Sequence, residues 1–480
     1  MKVVMVSSEA LPFCKVGGLA DVVYSLSKKL VINKINASII LPLYKCIKES
    51  QGFKDNARLI STLNIDMAWR KLSCDVYCYE INNVTYYLIG NEYYFSRKDI
   101  YGENDDFERF AFFSLASYKV IKEVIKKVDI VHIHDWQGAA VSLLHHHYKD
   151  RNDNIRFMLT IHNPAFQGIC DRNDLWNYFN LPEYYFDNGL ARLDDKVNLL
   201  KAAICLSDIV TTVSPTHRDE LRRGISSYGL EKILPSKGTD FVGVLNGLDT
   251  KEFNPTTDRY IYANYNKDNV NMGKKINKEN LMEELGLKDP NKPLFCIVSR
   301  LTHQKGISFI VNNIQKLLKL DLNLVILGKG EKDFENQLSF YCDSKENACC
   351  LLKYSNELAH KIYAASDFLL MPSKYEPCGI AQLIALRYGT IPIASKVGGL
   401  KDTIVSYNTL NEDVANGLLF NFDDDNFLLN VIFAIDLYSK KRIMSKIIHN
   451  AMNSSSSWTK ASKEYIRLYR QMIQKNKLSN

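Results

Sequence analysis

Long apolar runs are missing from this 480-residue sequence, and their absence excludes one class of protein. No stretch approaches the ~18 consecutive apolar residues that a membrane-spanning helix needs. An apolar strand pattern begins at Val3, with no charged and hydrophobic leader before it, so neither a secretory signal nor a transit peptide is expected. The sequence therefore predicts a cytoplasmic protein without a membrane partner.

A strong excess of one charge and paired cysteines are missing as well. The net charge of +7 is mild for this length, so it fits an anionic small ligand and argues little for binding nucleic acid. The eleven cysteines are odd in number and lack the paired spacing of metal sites, which indicates reduced thiols in a cytosol. We expect no metal and no cofactor.

What the sequence does contain is a short glycine motif that occurs twice. The first glycine motif, K-V-G-G-L-A-D, covers residues 15–21, and the second, K-V-G-G-L-K-D, covers residues 396–402. The first follows the apolar run Val3–Val6 and precedes a predicted helix over Val22–Leu30, and the second follows Thr390–Ala394. Two glycines between a strand and a helix let backbone N–H groups approach an anion, or form a plain turn for close packing. The duplication suggests one anionic ligand held by two similar lobes.

Short β-branched runs alternate with helical stretches in both halves of the chain. This pattern is typical of parallel sheets covered by helices on both faces. At this length two or three domains are expected, so the sequence predicts an α/β protein with two doubly wound, Rossmann-like domains. The predicted strands are Val3–Val6, Ala37–Leu41, Tyr86–Ile89, Ile130–Ile133, Phe157–Ile161 and Ile209–Val213, then Leu294–Val298, Leu324–Leu327, Ala348–Leu352, Phe368–Met371 and Ile391–Ala394.

A change of composition places the domain boundary near Asn246–Asp249, ahead of a segment rich in Asn, Lys and Asp. We therefore predict an N-terminal domain over residues 1–245 and a C-terminal domain over residues 246–455. A last amphipathic helix, over residues 456–480, is expected to pack on the N-terminal domain. Its apolar face would consist of Trp458, Ala461, Tyr465, Leu468 and Met472.

The residues that follow the predicted strands are the candidates for a site, because open α/β sheets bind ligands beyond the C-terminal ends of their strands. They are cationic and carboxylate-bearing, with glycines at helix starts, as expected for a phosphorylated, hydroxyl-rich ligand. These residues are Ser7, Ser8, Glu9, His134, Asp135, Trp136, His162, Asn163, Ser299, Arg300, Gln304, Lys305, Gly306, Gly328, Lys329, Gly330 and residues 372–379.

Eight motifs, read in order, resemble those of the glycogen and starch synthases of bacteria and plastids, glycosyltransferase family 5. They are K-V-G-G-L-A-D-V-V, H-I-H-D-W-Q, T-I-H-N-P-A-F-Q-G, V-L-N-G-L-D, V-S-R-L-T-H-Q-K-G, K-Y-S, S-K-Y-E-P-C-G-I and the second K-V-G-G-L. The resemblance implies the GT-B fold, with two Rossmann-like domains facing across a cleft and a C-terminal helix crossing back. It also implies a glycogen synthase that transfers glucose from ADP-glucose to the non-reducing end of an α-1,4-glucan, with retention.

The resemblance assigns phosphate contacts to both domains. Arg300 and Lys305 would grip the donor diphosphate and stabilise the charge that grows on departing ADP. Lys15 and the amides of Gly17 and Gly18 would complete the phosphate cradle from the other lobe. On this reading the C-terminal domain takes the nucleotide sugar and the N-terminal domain takes the glucan.

Sugar and base contacts are carried over in the same way. Glu376, in E-P-C-G, would accept hydrogen bonds from glucose hydroxyls and stabilise positive charge at the anomeric carbon. The backbone carbonyl of His162 would face the reacting carbon, and Asn246 would lie near glucose. Tyr354 would stack on the nucleotide base, unless it packs in a core. Asp21 would orient a hydroxyl, or serve only as a carboxylate at a helix N-terminus.

Four further residues complete the candidate set. Asp135 and Asn163 follow two neighbouring predicted strands and are expected to contact substrate. Cys378 lies beside the E-P-C-G glutamate, with a small core residue as its alternative, and Gly379 is expected to begin a helix that points at the ligand.

A metal site is a poor explanation of the histidines. His132 and His134 share a strand face with period two and precede Asp135, yet lysine and arginine neutralise phosphates without a metal. The run His145–His147 on the following predicted helix cannot place three imidazoles around one ion, and we interpret it as surface.

Retaining glycosidases use a double displacement that needs two carboxyl groups about 5 Å apart. The spacing of the carboxylates in this sequence singles out no such pair. The family resemblance favours front-face departure instead, with the leaving phosphate helping to deprotonate the acceptor. Tyr93–Phe95 and Tyr101 offer rings on which an acceptor glucan could stack, with core packing as the alternative.

Two positions depart from the family pattern. Ala381 replaces a hydroxyl residue, which removes a hydrogen bond worth about 1 kcal/mol, and Gln137 stands where some members have histidine. Ile384 occupies the place of a second glutamate found in many sucrose- or lipid-directed glucosyltransferases, which argues against that alternative. The remaining alternatives are a UDP-glucose-using or other GT-B glucosyltransferase and a non-catalytic glucan-binding regulator. ADP release from ADP-glucose in the presence of glycogen separates them.

Overall fold

The computed structural model describes residues 1–150, 153–343, 345–454 and 457–479. The chain divides into two compact units, which are described separately. The first unit combines Met1–Asn246 with Trp458–Asn480, and the second unit is Gly247–Ser457. Over the described ranges, no helix is both long and apolar enough to cross a membrane.

The main sheet of the first unit has the strand order β12-β11-β7-β6-β1-β2-β5-β4-β3. Its strands from β12 to β5 pair in parallel, while β4 runs antiparallel to both β5 and β3. A small antiparallel sheet has the order β8-β10-β9. The strands are β1 Lys2–Val6, β2 Asn36–Pro42, β3 Arg58–Met67, β4 Arg70–Ile81, β5 Val84–Gly90, β6 Ile130–His134, β7 Arg156–Ile161, β8 Ile169–Cys170, β9 Arg192–Leu193, β10 Lys196–Asn198, β11 Ile209–Thr212 and β12 Phe241–Gly243.

Helices cover this sheet, and capping residues determine where they begin. Helix α10 begins after Ser214, whose hydroxyl accepts the N–H of His217, and it has Pro215 in its first turn, as a well-capped helix does. The helices of the main segment are α1 Gly18–Ile32, α2 Lys45–Lys48, α3 Gln51–Asn56, α4 Glu92–Phe95, α5 Asp106–Lys119, α6 Ala140–Tyr148, α7 Asp174–Phe179, α8 Tyr184–Asp187, α9 Leu199–Leu206 and α10 Pro215–Arg222.

The second unit contains one parallel sheet with the order β15-β14-β13-β16-β17-β18. Its strands are β13 Leu294–Val298, β14 Asn323–Leu327, β15 Ala348–Leu351, β16 Phe368–Met371, β17 Ile391–Ser395 and β18 Leu418–Phe420. Its helices are α11 Val270–Leu285, α12 Ile307–Leu317, α13 Lys332–Cys342, α14 Asn356–Ala365, α15 Ala381–Arg387, α16 Gly398–Thr403, α17 Asp424–Ser439 and α18 Lys441–Asn453.

The last helix, α19 Trp458–Ser479, returns to the first unit. Its side chains Trp458, Tyr465 and Tyr469 are buried in the core of that unit. The amphipathic face read from the sequence therefore completes the first core.

The predicted fold class is confirmed, since each unit is a doubly wound α/β domain. Every predicted strand lies on an observed one, because unbroken apolar runs mark strands that are buried on both faces. The hairpin β3–β4 and the edge strands β12 and β18 were not predicted. In β3 exposed and buried residues alternate near its C-terminal end, as expected where only one face of a sheet is covered.

The surface interpretation of His145–His147 is wrong in part. His145, predicted at the surface with its neighbours, is buried: its ring lies 4.9 Å from that of Phe157 and its Nδ1 3.7 Å from an oxygen of Asp153. Desolvation lowers the pKa of His145. His146 and His147 are exposed, as expected.

Candidate active site

In the second unit the loop after β13 is held against the loop after β16. Gly306 has φ +71°, and a Cβ there would lie 1.8 Å from the carbonyl oxygen of Pro372. The N–H of Lys374 donates to the carbonyl of Gln304 at 3.0 Å. Only glycine permits both this backbone angle and this approach, so the H-Q-K-G turn is fixed beside S-K-Y-E-P.

This packing brings together two residues that the sequence placed in separate motifs. Nζ of Lys305 donates to Oε2 of Glu376 at 2.6 Å, and the Ser373 hydroxyl donates to the same oxygen at 3.0 Å. The side chain of Glu376 is 6% exposed and that of Lys305 is 19% exposed. A cation for phosphate and a carboxylate for sugar therefore form one largely buried pair.

The second glycine motif supports the E-P-C-G loop from behind. The N–H of Gly399 donates to the carbonyl of Glu376 at 3.0 Å, and a Cβ at Gly399 would lie 2.3 Å from the carbonyl oxygen of Cys378. Cys378 is buried, which agrees with the alternative interpretation of this cysteine as a small core residue. Gly379 has φ +77° and lies just before α15. In this unit the glycines serve close packing.

Two donor-side candidates are exposed. Arg300 follows β13 with an exposed side chain, and the ring of Tyr354 is 83% exposed. The alternative that Tyr354 packs in a core is therefore wrong. Ala381 opens α15 and packs against the core of this unit.

In the first unit the first glycine motif binds an anion that belongs to the protein. The N–H groups of Val16 and Gly17 donate to Oε2 of Glu9 at 2.5 and 2.9 Å. The Tyr101 hydroxyl donates to Oε1 of Glu9 at 2.8 Å. The Gly17 amide, predicted to bind phosphate, thus donates to Glu9 in this structure, and its role toward phosphate stays a prediction.

The two charged residues of the same motif contact each other. Nζ of Lys15 lies 2.9 Å from the carboxylate of Asp21, in the first turn of α1. Gly18 is the first residue of that helix. Asp21 is thus both a carboxylate at a helix N-terminus and the partner of the predicted phosphate lysine.

Asp135 organises the ends of two neighbouring strands. It has φ +57°, a strained angle for a non-glycine residue that is typical of functional sites. Its Oδ1 accepts the N–H of His162 at 2.7 Å and that of Asn163 at 3.3 Å. Desolvation raises the pKa of Asp135 to about 7, against the lowering effect of these two hydrogen bonds. The predicted residues of H-I-H-D-W and T-I-H-N are therefore together.

The histidines beside them are neutral and linked. His134 Nδ1 lies 3.0 Å from His162 Nε2, and the two nitrogens of His132 contact the hydroxyls of Tyr469 and Thr160. Burial lowers the pKa of His132 and of His162 to about 3. Within the described ranges, no group of three or more His, Cys, Asp or Glu side chains is placed to hold a metal ion.

The proposed stacking rings do not form one surface. Tyr93 is 67% exposed, whereas Tyr94 and Phe95 are buried in the core, with the Tyr94 ring 4.9 Å from that of Phe112. Tyr101 uses its hydroxyl on Glu9. Core packing, the alternative reading, holds for Tyr94 and Phe95.

Three functional candidates emerge from the structure more clearly than from the sequence. Glu9 and Ser373 are strand-end residues to which the sequence assigns no role, although a carboxylate between the first predicted strand and the first glycine motif is a signal that could have suggested one. Asn246, predicted near glucose, is buried, and among the described residues its Oδ1 has no hydrogen-bond partner. A buried acceptor of this kind suits a ligand hydroxyl.

Comparison with known proteins identifies the family. Residues 2–236 match the starch synthase catalytic domain family, and residues 277–448 match glycosyl transferases group 1. The chain is 40% identical over 480 residues to a glycogen synthase of Clostridium botulinum (strain Alaska E43 / Type E3), covering 98% of this chain and 99% of that protein. The chain belongs to the glycogen and starch synthase family. The prediction made from its motifs is confirmed.

Other members of the family and solved structures agree. A glycogen synthase of Clostridium beijerinckii is 41% identical over 482 residues, covering 98% of this chain and 99% of that protein. The catalytic domain of starch synthase IV from Arabidopsis thaliana, bound to ADP and acarbose, is 33% identical with a TM-score of 0.91, covering 98% of this chain and 99% of that chain. This synthase is a GT-B glucosyltransferase.

Proposed function

We propose that this synthase elongates glycogen by transferring glucose from ADP-glucose to the non-reducing end of an α-1,4-glucan, with retention. Similarity over 98% of the chain to proteins named glycogen synthase carries this proposal. The similar starch synthase IV domain is bound to ADP, which supports adenine as the base of the donor.

The second unit supplies the donor-binding residues in this proposal. The guanidinium of Arg300 and the ammonium of Lys305 bind the diphosphate and stabilise the charge that develops on ADP as the sugar leaves. The exposed ring of Tyr354 stacks on the base. Cys378 and Gly379 form the wall behind the sugar, fixed by the second glycine motif.

The ion pair between Lys305 and Glu376 couples the two ends of the donor. When a phosphate oxygen takes over hydrogen bonds of Lys305, the negative charge of Glu376 is less neutralised. That charge is then available to glucose hydroxyls and to the positive charge at the anomeric carbon, while Ser373 keeps the carboxylate in place.

The first unit supplies the acceptor side and the residues next to the reacting carbon. Asp135 holds the backbone at His162 and Asn163, and this fixes the direction of the His162 carbonyl. Asn246 accepts a sugar hydroxyl with its unpaired oxygen. Lys15, with Asp21 as its counter-ion, serves the diphosphate together with Gly17 and Gly18.

The transfer itself needs no protein nucleophile. The bond between the anomeric carbon and the phosphate oxygen breaks, the acceptor O4 forms its bond to the same face of that carbon, and the acceptor proton passes to a phosphate oxygen of ADP. Front-face departure accounts for retention without a second carboxylate. We further propose a reducing, cytoplasmic compartment, which the eleven free thiols support.

Steady-state turnover of the full chain tests the proposal. ADP-glucose and UDP-glucose are supplied in turn with glycogen, and nucleotide release and incorporated glucose are measured. We expect glycogen-dependent ADP release that clearly exceeds UDP release. Equal or greater turnover of UDP-glucose would contradict the assigned donor, and glycogen binding without release of either nucleotide would favour a non-catalytic regulator.

A further inference from the structure

A chain of buried hydroxyls and one imidazole runs from α19 into the sheet of the first unit. The hydroxyl of Tyr469 lies 2.7 Å from Nδ1 of His132, and Nε2 of His132 lies 2.6 Å from the hydroxyl of Thr160. The Thr160 hydroxyl lies 2.6 Å from that of Thr211, which donates to the carbonyl of Leu159 at 3.4 Å. The four side chains on this path are fully buried, at 0% exposure.

The far end of the chain indicates the direction in which its hydrogen bonds run. The Leu159 carbonyl can only accept, so Thr211 donates to it and accepts from Thr160. Thr160 then accepts from Nε2–H of His132, a neutral imidazole because desolvation lowers its pKa to about 3. Nδ1 of His132 is left as an acceptor, and the Tyr469 hydroxyl is its donor.

This chain reaches the candidate site through neighbouring imidazole rings. The rings of His132 and His134 lie 4.1 Å apart, inclined by 34°. His134 in turn lies 3.0 Å from His162 through its Nδ1. The orientation of His132, set by Tyr469 and Thr160, therefore limits where His134 and His162 can lie.

We propose that Tyr469 is a positioning residue for the transfer reaction, acting through His132 and His134 on His162. The last helix then does more than fill the first core: its hydroxyl fixes the tautomer and orientation of the imidazole that supports the site. The kinetic part of this inference rests on the proposed function, and the spectroscopic part does not.

The substitution Tyr469→Phe removes the donor and keeps the ring. It leaves Nδ1 of His132 as a buried acceptor without a donor, which frees the ring to shift. We expect kcat for glucosyl transfer to fall about tenfold, with KM for ADP-glucose unchanged, because the contacts proposed for the diphosphate and the base lie in the second unit and are not altered.

Tyr265→Phe in the second unit is the matched control. Tyr265 is also buried, and its hydroxyl donates to the carbonyl of Tyr388 at 2.8 Å, so this variant also loses one buried hydrogen bond. We expect it to lose comparable thermal stability and to keep kcat. An unchanged kcat in Tyr469→Phe, or an equal loss in both variants, would overturn the kinetic part.

Nitrogen NMR of the histidine-labelled protein decides the structural part even if no turnover is found. The chain has ten histidines, and single substitutions assign their signals. We expect His132 to carry its proton on Nε2 in the native protein, and both His132 and His162 signals to move in Tyr469→Phe. A proton on Nδ1 of His132, or an unmoved His162 signal, would overturn the inference.

Discussion

At the scale of single residues, Glu9 shows how a carboxylate of the protein can hold a glycine loop. A carboxylate that accepts two backbone N–H groups and a tyrosine hydroxyl makes charge-assisted hydrogen bonds, each worth about 1.5–3 kcal/mol. Because these bonds hold the Val16 and Gly17 amides, the geometry of the first glycine motif depends on the charge of Glu9.

Glu9→Gln should loosen this loop. The amide side chain keeps one oxygen acceptor but loses the negative charge, so the N–H groups of Val16 and Gly17 should exchange faster with solvent. Hydrogen-exchange mass spectrometry of peptides covering residues 10–20 measures this, with Glu92→Gln as the control because Glu92 pairs with Lys48 at the exposed surface. Unchanged exchange in Glu9→Gln would show that the carboxylate does not hold the loop.

Asp135 should make stability depend on pH. Its folded-state pKa of about 7 lies above the ordinary 3.8, so its contribution is fully present below the unfolded pKa and is lost as pH rises through about 7. Asn cannot ionise. The urea midpoint of Asp135→Asn should therefore rise relative to the native protein between about pH 4 and about pH 7. A difference that stays constant with pH would contradict the raised pKa.

At this scale the sequence names candidate residues, but it does not show which of them contact each other. Lys305 and Glu376 were both named from their motifs, yet they are 71 positions apart and meet only because Gly306 admits Pro372. The same limit applies to Gly17, because nothing in the sequence shows that Glu9 folds back onto its amide.

At the scale of elements, two nearly identical sequences do different work. A Cβ at Gly17, the first glycine of its motif, would have no heavy atom within 4 Å, whereas a Cβ at Gly399, the second glycine of its motif, would press on the backbone of Cys378. The first glycine motif presents its amides to a carboxylate, and the second fits one loop against another. The shared sequence predicts a strand, a loop and a helix at both motifs, but the surrounding packing decides what each loop contacts.

Alanine at the two positions should separate these roles. Gly399→Ala should destabilise the protein by about 1–3 kcal/mol, since the neighbouring backbone must move, and should lower activity by displacing E-P-C-G. Gly17→Ala, at φ −136° in open space, should be neutral or stabilising by up to about 1 kcal/mol. Urea unfolding of both variants measures this, and equal destabilisation would contradict the distinction.

The parallel strands could be predicted because a strand that is buried on both faces consists of an unbroken run of apolar residues. The β3–β4 hairpin could not be read that way, since its strands carry polar residues on an open face. Tyr94 and Phe95 show the reverse difficulty: aromatic residues suit both a sugar surface and a core, and here the core contains them.

At the scale of the whole molecule, the chain builds two doubly wound units and places complementary chemistry in each. The second unit has cations and a carboxylate at the ends of its parallel strands. The first has a strained aspartate, neutral histidines and a loop that binds an anion. Its core is completed by α19, from the far end of the chain. The amphipathic spacing of this helix predicted that it packs on the first unit, but it could not show that Tyr469 contacts His132.

Whether Lys305 serves the donor diphosphate is tested most directly by kcat/KM for ADP-glucose, measured with glycogen for Lys305→Ala. The control is Lys288→Ala, because Lys288 is exposed in the same unit and pairs with Glu346 at 2.6 Å. We expect Lys305→Ala to lower kcat/KM by about 10²–10³-fold, and Lys288→Ala to leave it unchanged. Equal values for the two variants and the native protein would contradict the role of Lys305 in stabilising the departing diphosphate.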